Sequence, residues 1–187
     1  MEDCYAGLVR AAGHAAGAGL DAGRFVLGGK SAGGGLAAAL ALLTRDRGGP
    51  VPIGRLLLSP MPDDRGTTFS SHRMAGLDTW DRTSHATAWH AVPGDRYGTA
   101  GVPPHAAPAS ATDLSRLPPA CVEAGSAETS RDEAVAYADG IWRAGGEAER
   151  QVWPGIFHGF GTLAPRAALG QDDREARSRW PRRIVAR

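Results

Sequence analysis

Only two cysteines occur in the chain, Cys4 and Cys121, and no Cys-x-x-Cys pair. That excludes a disulfide framework and a zinc ribbon, and leaves two reduced thiols in or near the core. The six histidines are scattered, with no metal-ligand spacing, so neither a metal nor a cofactor is expected. Charge of one sign is also missing: the net charge is +1, with no basic stripe to draw a nucleic acid. No apolar run reaches membrane-spanning length and no signal-peptide pattern appears, which sets the expected location as cytoplasmic with no membrane partner.

What is present is an ordinary globular composition. With 187 residues, 42% hydrophobic and 22% charged, residues 1–187 are expected to form one domain with a sizeable core. The chain is organised around residues 24–35. Phe25, Val26 and Leu27 read as a short buried strand, broken by Gly28 and Gly29. From Leu36 the pattern turns helical, with Leu36, Leu40 and Leu43 on one face. Ser31 sits at the joint, in Gly29-Lys30-Ser31-Ala32-Gly33, the G-x-S-x-G pattern of a nucleophile elbow. Strand and helix pass close together in such a turn, so the positions two before and two after the serine must be small. The turn lifts the hydroxyl above the sheet and leaves the Ala32 N–H at the helix N-terminus, aimed at a developing oxyanion. A phosphate loop would need glycine where Arg24 stands and would displace the strand. A glycine-rich helix start around an ordinary serine fits this stretch alone equally well.

Along the chain, residues 2–17 read as a helix with Tyr5, Leu8, Val9 and Ala12 as its apolar stripe. Leu56 to Leu58 make a second strand, in right-handed crossover with the first. Residues 61–112 form a long insertion rich in Pro, Gly, Ser, Thr and His, of the kind that serves as a lid or pocket wall. Short helices are expected over 77–80 and 84–91, and Trp80, Trp89 and Tyr97 either line a pocket or pack the segment onto the core. A third strand over 120–123 leads into a helix from Arg131, with Ser130 and Glu133 spaced as a capping box and Val135, Ala138 and Trp142 on one face. A fourth strand covers 148–153. The tail, 164–187, reads as a charged helix anchored by Trp180, its arginines forming a solvated face.

Glu128 follows the third strand and His158 the fourth. In a parallel sheet those strand ends share an edge with Ser31. The order serine, acid, histidine is that of α/β-hydrolases, and the roles follow from charge flow. Ser31 becomes nucleophilic when His158 takes its proton, and Glu128 orients the imidazole and stabilises the imidazolium.

The chain resembles the bacterial hormone-sensitive-lipase-like α/β-hydrolases, carboxylesterases and lipases that act on short acyl esters. The likeness is carried by Glu2-Asp3-Cys4-Tyr5-Ala6, Ser31-Ala32-Gly33-Gly34, Ser59-Pro60-Met61 and Ala106-Ala107-Pro108-Ala109, then by Leu117-Pro118-Pro119-Ala120, Arg131-Asp132-Glu133 and Trp153-Pro154-Gly155 leading into Phe157-His158-Gly159-Phe160. It implies a mostly parallel sheet with flanking helices, a small-molecule ester substrate and no cofactor. Three departures stand out. Glu128 occupies a position that is usually aspartate, with Asp132 as the fallback acid. Lys30 replaces an aspartate often found before the serine. The family's His-Gly-Gly oxyanion motif and its early strands have no counterpart, so the resemblance implies a partial fold lacking the N-terminal strands.

The expectation is a serine esterase of short acyl esters, weakened by the absent oxyanion glycines, with Ser31, His158 and Glu128 as triad and Ala32 as oxyanion donor. An apolar strand edge beside the elbow would be open to pairing with a second copy. The alternative is a non-catalytic remnant of the same fold, serving as a binding or oligomerisation module.

Overall fold

A computed structural model describes residues 1–187. Four strands form one parallel sheet in the order β1-β2-β3-β4: β1 (Val26–Lys30), β2 (Gly54–Leu58), β3 (Ala120–Ala127) and β4 (Ala148–Phe157). The register runs from Val26 opposite Gly54 to Lys30 opposite Leu58, and from Ala120 opposite Ala148 towards Phe157. Gly28 and Gly29 continue β1 instead of ending it, because the ladder to Leu56 and Leu57 holds them extended.

Helices cover both faces. α1 (Glu2–His14) precedes the sheet, and α2 (Ala32–Arg47) crosses from β1 to β2. Two short helices, α3 (Phe69–Arg73) and α4 (Arg82–His90), lie in the long segment between β2 and β3. α5 (Arg131–Arg143) crosses from β3 to β4, and the chain closes with α6 (Phe160–Leu163) and α7 (Ala168–Val185). The expected helix over 77–80 is absent. Helix forms instead at α3, where the Thr68 side chain accepts from the Ser71 N–H at 3.3 Å and caps its start.

The main core lies between the sheet and α2 and α5. Ala38, Ala41 and Leu42 of α2 meet Leu57, Val122 and Ala124 of the strands, and Ala134, Tyr137, Ala138 and Ile141 of α5. On the opposite face Trp180 and Ile184 of α7 pack on Cys121. α2 is buried nearly all round from Gly34 to Thr44, so its leucines do not define a single inward stripe; Leu36 is 46% exposed. Along α5 the inward face is Ala134, Tyr137, Ala138 and Ile141, and Trp142 points outward, its indole N–H donating to the Ala148 carbonyl. The stripe on α1 contains no buried residue; the helix is tied to α2 by Arg47, which pairs with Glu2 and lies over the Tyr5 ring.

Two local patterns turn out otherwise than expected. Ser130 makes no capping hydrogen bond, and Glu133 is swallowed by the interior instead of reaching back to the helix start. Arg177 is not on a solvated face: it pairs with the buried carboxylates of Glu123 on β3 and Asp173 on its own helix.

Candidate active site

The four strand ends converge on one edge. Ser31 follows β1, Glu128 follows β3 and His158 follows β4, so parallel order puts all three at the same end of the sheet. Ser31 adopts φ 58°, ψ −124°, a conformation that L residues rarely take. Its backbone is pinned: the N–H donates to Leu58 O at 2.8 Å, and its carbonyl accepts from Gly34 N–H at 2.9 Å and Met61 N–H at 3.2 Å. Glycine at 29 is a steric necessity, since a Cβ there would sit 2.0 Å from Gly33 O. The glycine at 33 is not, because a Cβ there meets nothing within 4 Å; the second tight position is Gly35, whose Cβ would fall 2.3 Å from Met61 O.

From this elbow the Ser31 hydroxyl lies 2.8 Å from His158 Nε2. His158 Nδ1 lies 3.1 Å from Glu128 Oε2, and Glu128 Oε1 accepts the Gly125 N–H at 2.9 Å. Glu128 is fully buried and His158 is 8% exposed. A carboxylate at Glu128 takes the Nδ1 proton as its hydrogen-bond donor, which leaves Nε2 to accept from the serine hydroxyl. Such a row of donors and acceptors can carry a proton from hydroxyl to imidazole. Asp132, the alternative acid, is held elsewhere: its carboxylate accepts from the Ser70 N–H at 2.8 Å and the Arg131 guanidinium at 2.7 Å.

Ala32 is the first residue of α2 and is exposed, so its N–H is one of the helix's unpaired donors. Lys30 turns away from the serine and donates to Thr162 Oγ1 at 3.0 Å, joining β1 to α6. Beside the elbow is an apolar cavity of ≈ 80 Å³ lined by Ala32, Leu36, Met61, Ala88, Trp89 and Val92 among others. Met61 and Trp89 are buried there with Val102 and Ala107, and Trp80 and Tyr97 pack against them, so Trp89 both lines a cavity and packs the segment. No group of three or more His, Cys, Asp or Glu side chains is arranged to hold a metal ion. No helix is long and apolar enough to cross a membrane.

Sequence reasoning missed two contributors. Met61 Sδ lies 3.7 Å from the Ser31 hydroxyl, although in the sequence the residue stands out only within Ser59-Pro60-Met61, one of the stretches that carry the family likeness. Asp78 accepts the backbone N–H of His158 at 3.2 Å, and no local pattern around it gave a signal.

Comparison with known proteins agrees with this architecture. The α/β hydrolase fold family matches residues 1–162. Carboxylesterase NlhH of Mycobacterium tuberculosis is 34% identical over 174 residues, which is 90% of this chain and 54% of the relative. An acetyl-hydrolase of Streptomyces hygroscopicus is 35% identical over 140 residues, covering 73% of this chain and 44% of the relative. Among solved structures, a bacterial heroin esterase superposes with a TM-score of 0.89 at 34% identity, covering 98% of this chain and 58% of that one. The chain thus spans about half the length of the curated relatives it matches. By matched length, topology and strand-end placement, the chain belongs to the α/β-hydrolase fold family, among relatives of the hormone-sensitive-lipase-like carboxylesterases.

Proposed function

We propose that this chain carries the nucleophile, base and acid of a serine carboxylic-ester hydrolase. Ser31 attacks the ester carbonyl, His158 takes the hydroxyl proton and returns it to the leaving alcohol, and Glu128 orients the imidazole and stabilises its charged form. The Ala32 N–H donates to the oxyanion. Water then repeats the sequence on the acyl-enzyme, with His158 again as base, and releases the acid.

The observation that carries this reading is the unbroken contact row, Ser31 Oγ to His158 Nε2 at 2.8 Å and Nδ1 to Glu128 Oε2 at 3.1 Å, mounted on a strained elbow. Nothing in a merely packed serine requires φ 58°. The apolar cavity of ≈ 80 Å³ beside Ala32 and Met61 supports a short acyl chain as the acid part of the substrate. Segment 61–112 supplies one wall of that cavity through Met61, Ala88, Trp89 and Val92.

One oxyanion donor is named in these residues. Losing a donor elsewhere has cost ~100- to 1000-fold in rate, so the 187-residue chain is a slow esterase by this reading. The experiment is covalent labelling with a fluorophosphonate, which reports the activated serine even when turnover is slow. Mass spectrometry should find the adduct on Ser31, with labelling lost in His158→Ala. Labelling of other serines at the same rate, or undiminished labelling in His158→Ala, would refute it.

A further inference from the structure

The long segment between β2 and β3 reaches His158 at one tripeptide, Asp78-Thr79-Trp80. His158 needs holding. The last paired residue of β4 is Phe157, opposite Ala127, so the peptide groups of His158 lie beyond the sheet ladder. Gly159 then turns the chain away at φ 83°. The tripeptide takes up both free groups. The Asp78 Oδ2 accepts the His158 N–H at 3.2 Å, and the Thr79 hydroxyl donates to the His158 carbonyl at 2.5 Å. Asp78 Oδ1 accepts the Thr79 N–H at 2.6 Å, which locks the two residues to each other. The Trp80 ring lies 6.1 Å from the imidazole, and the Trp80 carbonyl accepts from Thr129 Oγ1 at 2.8 Å, next to Glu128.

Asp78 achieves this at φ 81°, in the left-handed region. For a residue that is not glycine, such a conformation is strained and persists only where its surroundings enforce it. Here the conformation is what allows one carboxylate to bond both its own neighbour and the backbone of His158.

We propose that Asp78 and Thr79 are positioning residues for His158, which fix the imidazole on Ser31 by clamping the peptide that carries it. The proposal rests on the reading of His158 as the base. Rotating that peptide would swing the imidazole off Ser31, and a misplacement of about 1 Å can cost ~100-fold.

The test uses Asp78→Asn, Asp78→Gly, Thr79→Val and Thr79→Ser in the full chain, with kcat, KM and the downfield NMR signal of the His158 Nδ1 proton, bonded to Glu128, as readouts. Asparagine keeps the shape, the tolerance for positive φ and an acceptor oxygen, so Asp78→Asn should hold kcat/KM within about threefold of wild type and leave the Nδ1 proton signal in place. Asp78→Gly relieves the backbone strain, so its melting temperature should hold or rise while kcat/KM falls about tenfold, carried by kcat. Thr79→Val should fall similarly, and Thr79→Ser, which keeps the hydroxyl, should restore the wild-type value. An unmoved Nδ1 proton signal in both Asp78→Gly and Thr79→Val overturns the proposal whether or not the chain turns over, as does kcat/KM within twofold of wild type in those two variants. Ser31→Ala, run beside them, separates the two claims. Activity that survives it refutes the catalytic reading, while the Nδ1 proton signal still decides the clamp.

Discussion

Glu133 should make the protein lose stability as pH rises, and Glu133→Gln should abolish that loss. The side chain is 2% exposed on the first turn of α5, and neither of its oxygens has a hydrogen-bond partner. His85 Nε2 lies 3.8 Å away, itself 1% exposed and unpartnered. Burial, and after it the negative charge of Asp63, push the Glu133 carboxyl from 4.5 up to about 9. Between those values the unfolded chain has released the proton and the folded chain keeps it. The stability this group contributes is therefore full below pH 4.5 and is lost as pH rises towards 9, at about 1.4 kcal/mol per unit. His85 acts in the opposite sense, since burial depresses its pKa below 6.5 and its share is lost as pH falls. Well above pH 6.5 both states leave His85 neutral, and its share no longer changes. From pH 6.5 to 8.5 the wild type should lose about 2–3 kcal/mol that Glu133→Gln does not. Urea unfolding of both proteins at the two pH values measures it, and their difference cancels every other titrating group. A difference that does not change between pH 6.5 and 8.5 would refute the reasoning.

Arg177 sits between two buried carboxylates, donating to Glu123 Oε2 at 3.0 Å and pairing with Asp173 Oδ2 at 2.8 Å. Arg177→Met leaves both uncompensated and should cost about 3–5 kcal/mol in urea unfolding at pH 7.5. The deficit should shrink by pH 5, because the Glu123 carboxyl, pushed up to about 7 chiefly by burial, then takes a proton. The cysteines should also separate. Cys121 is 1% exposed with its thiol pushed up to about 12 by burial, while Cys4 is half-buried, so a native protein titrated with Ellman's reagent should show one fast thiol and a second only on unfolding.

Much of the topology was legible because short apolar runs, glycine breaks and helical alanine patterns are local signals. The strand at Leu56 to Leu58, the helix from Arg131 and the elbow at Ser31 fall where those signals put them. The strands run longer than their apolar cores. β2 begins at Gly54 and takes Arg55 inside, where the Pro118 carbonyl and Tyr137 hydroxyl accept its guanidinium, partners no local window contains. The capping box at Ser130 and Glu133 failed for the same reason: tertiary packing draws Glu133 inward and overrides a pattern that would hold in an isolated helix. The positions of Ser31, Glu128 and His158 were readable because each follows a strand of one parallel sheet. Asp78 and Thr79 were not, because they lie in irregular chain and their link to His158 spans eighty residues, which no local pattern records.

The most direct measurement of the central claim is p-nitrophenyl butyrate hydrolysis by the purified chain beside Ser31→Ala. The account predicts slow but measurable hydrolysis by the wild type that falls to background in Ser31→Ala. Equal rates in the two proteins would contradict it, and would leave the Ser31–His158–Glu128 row as an inherited arrangement without catalytic use.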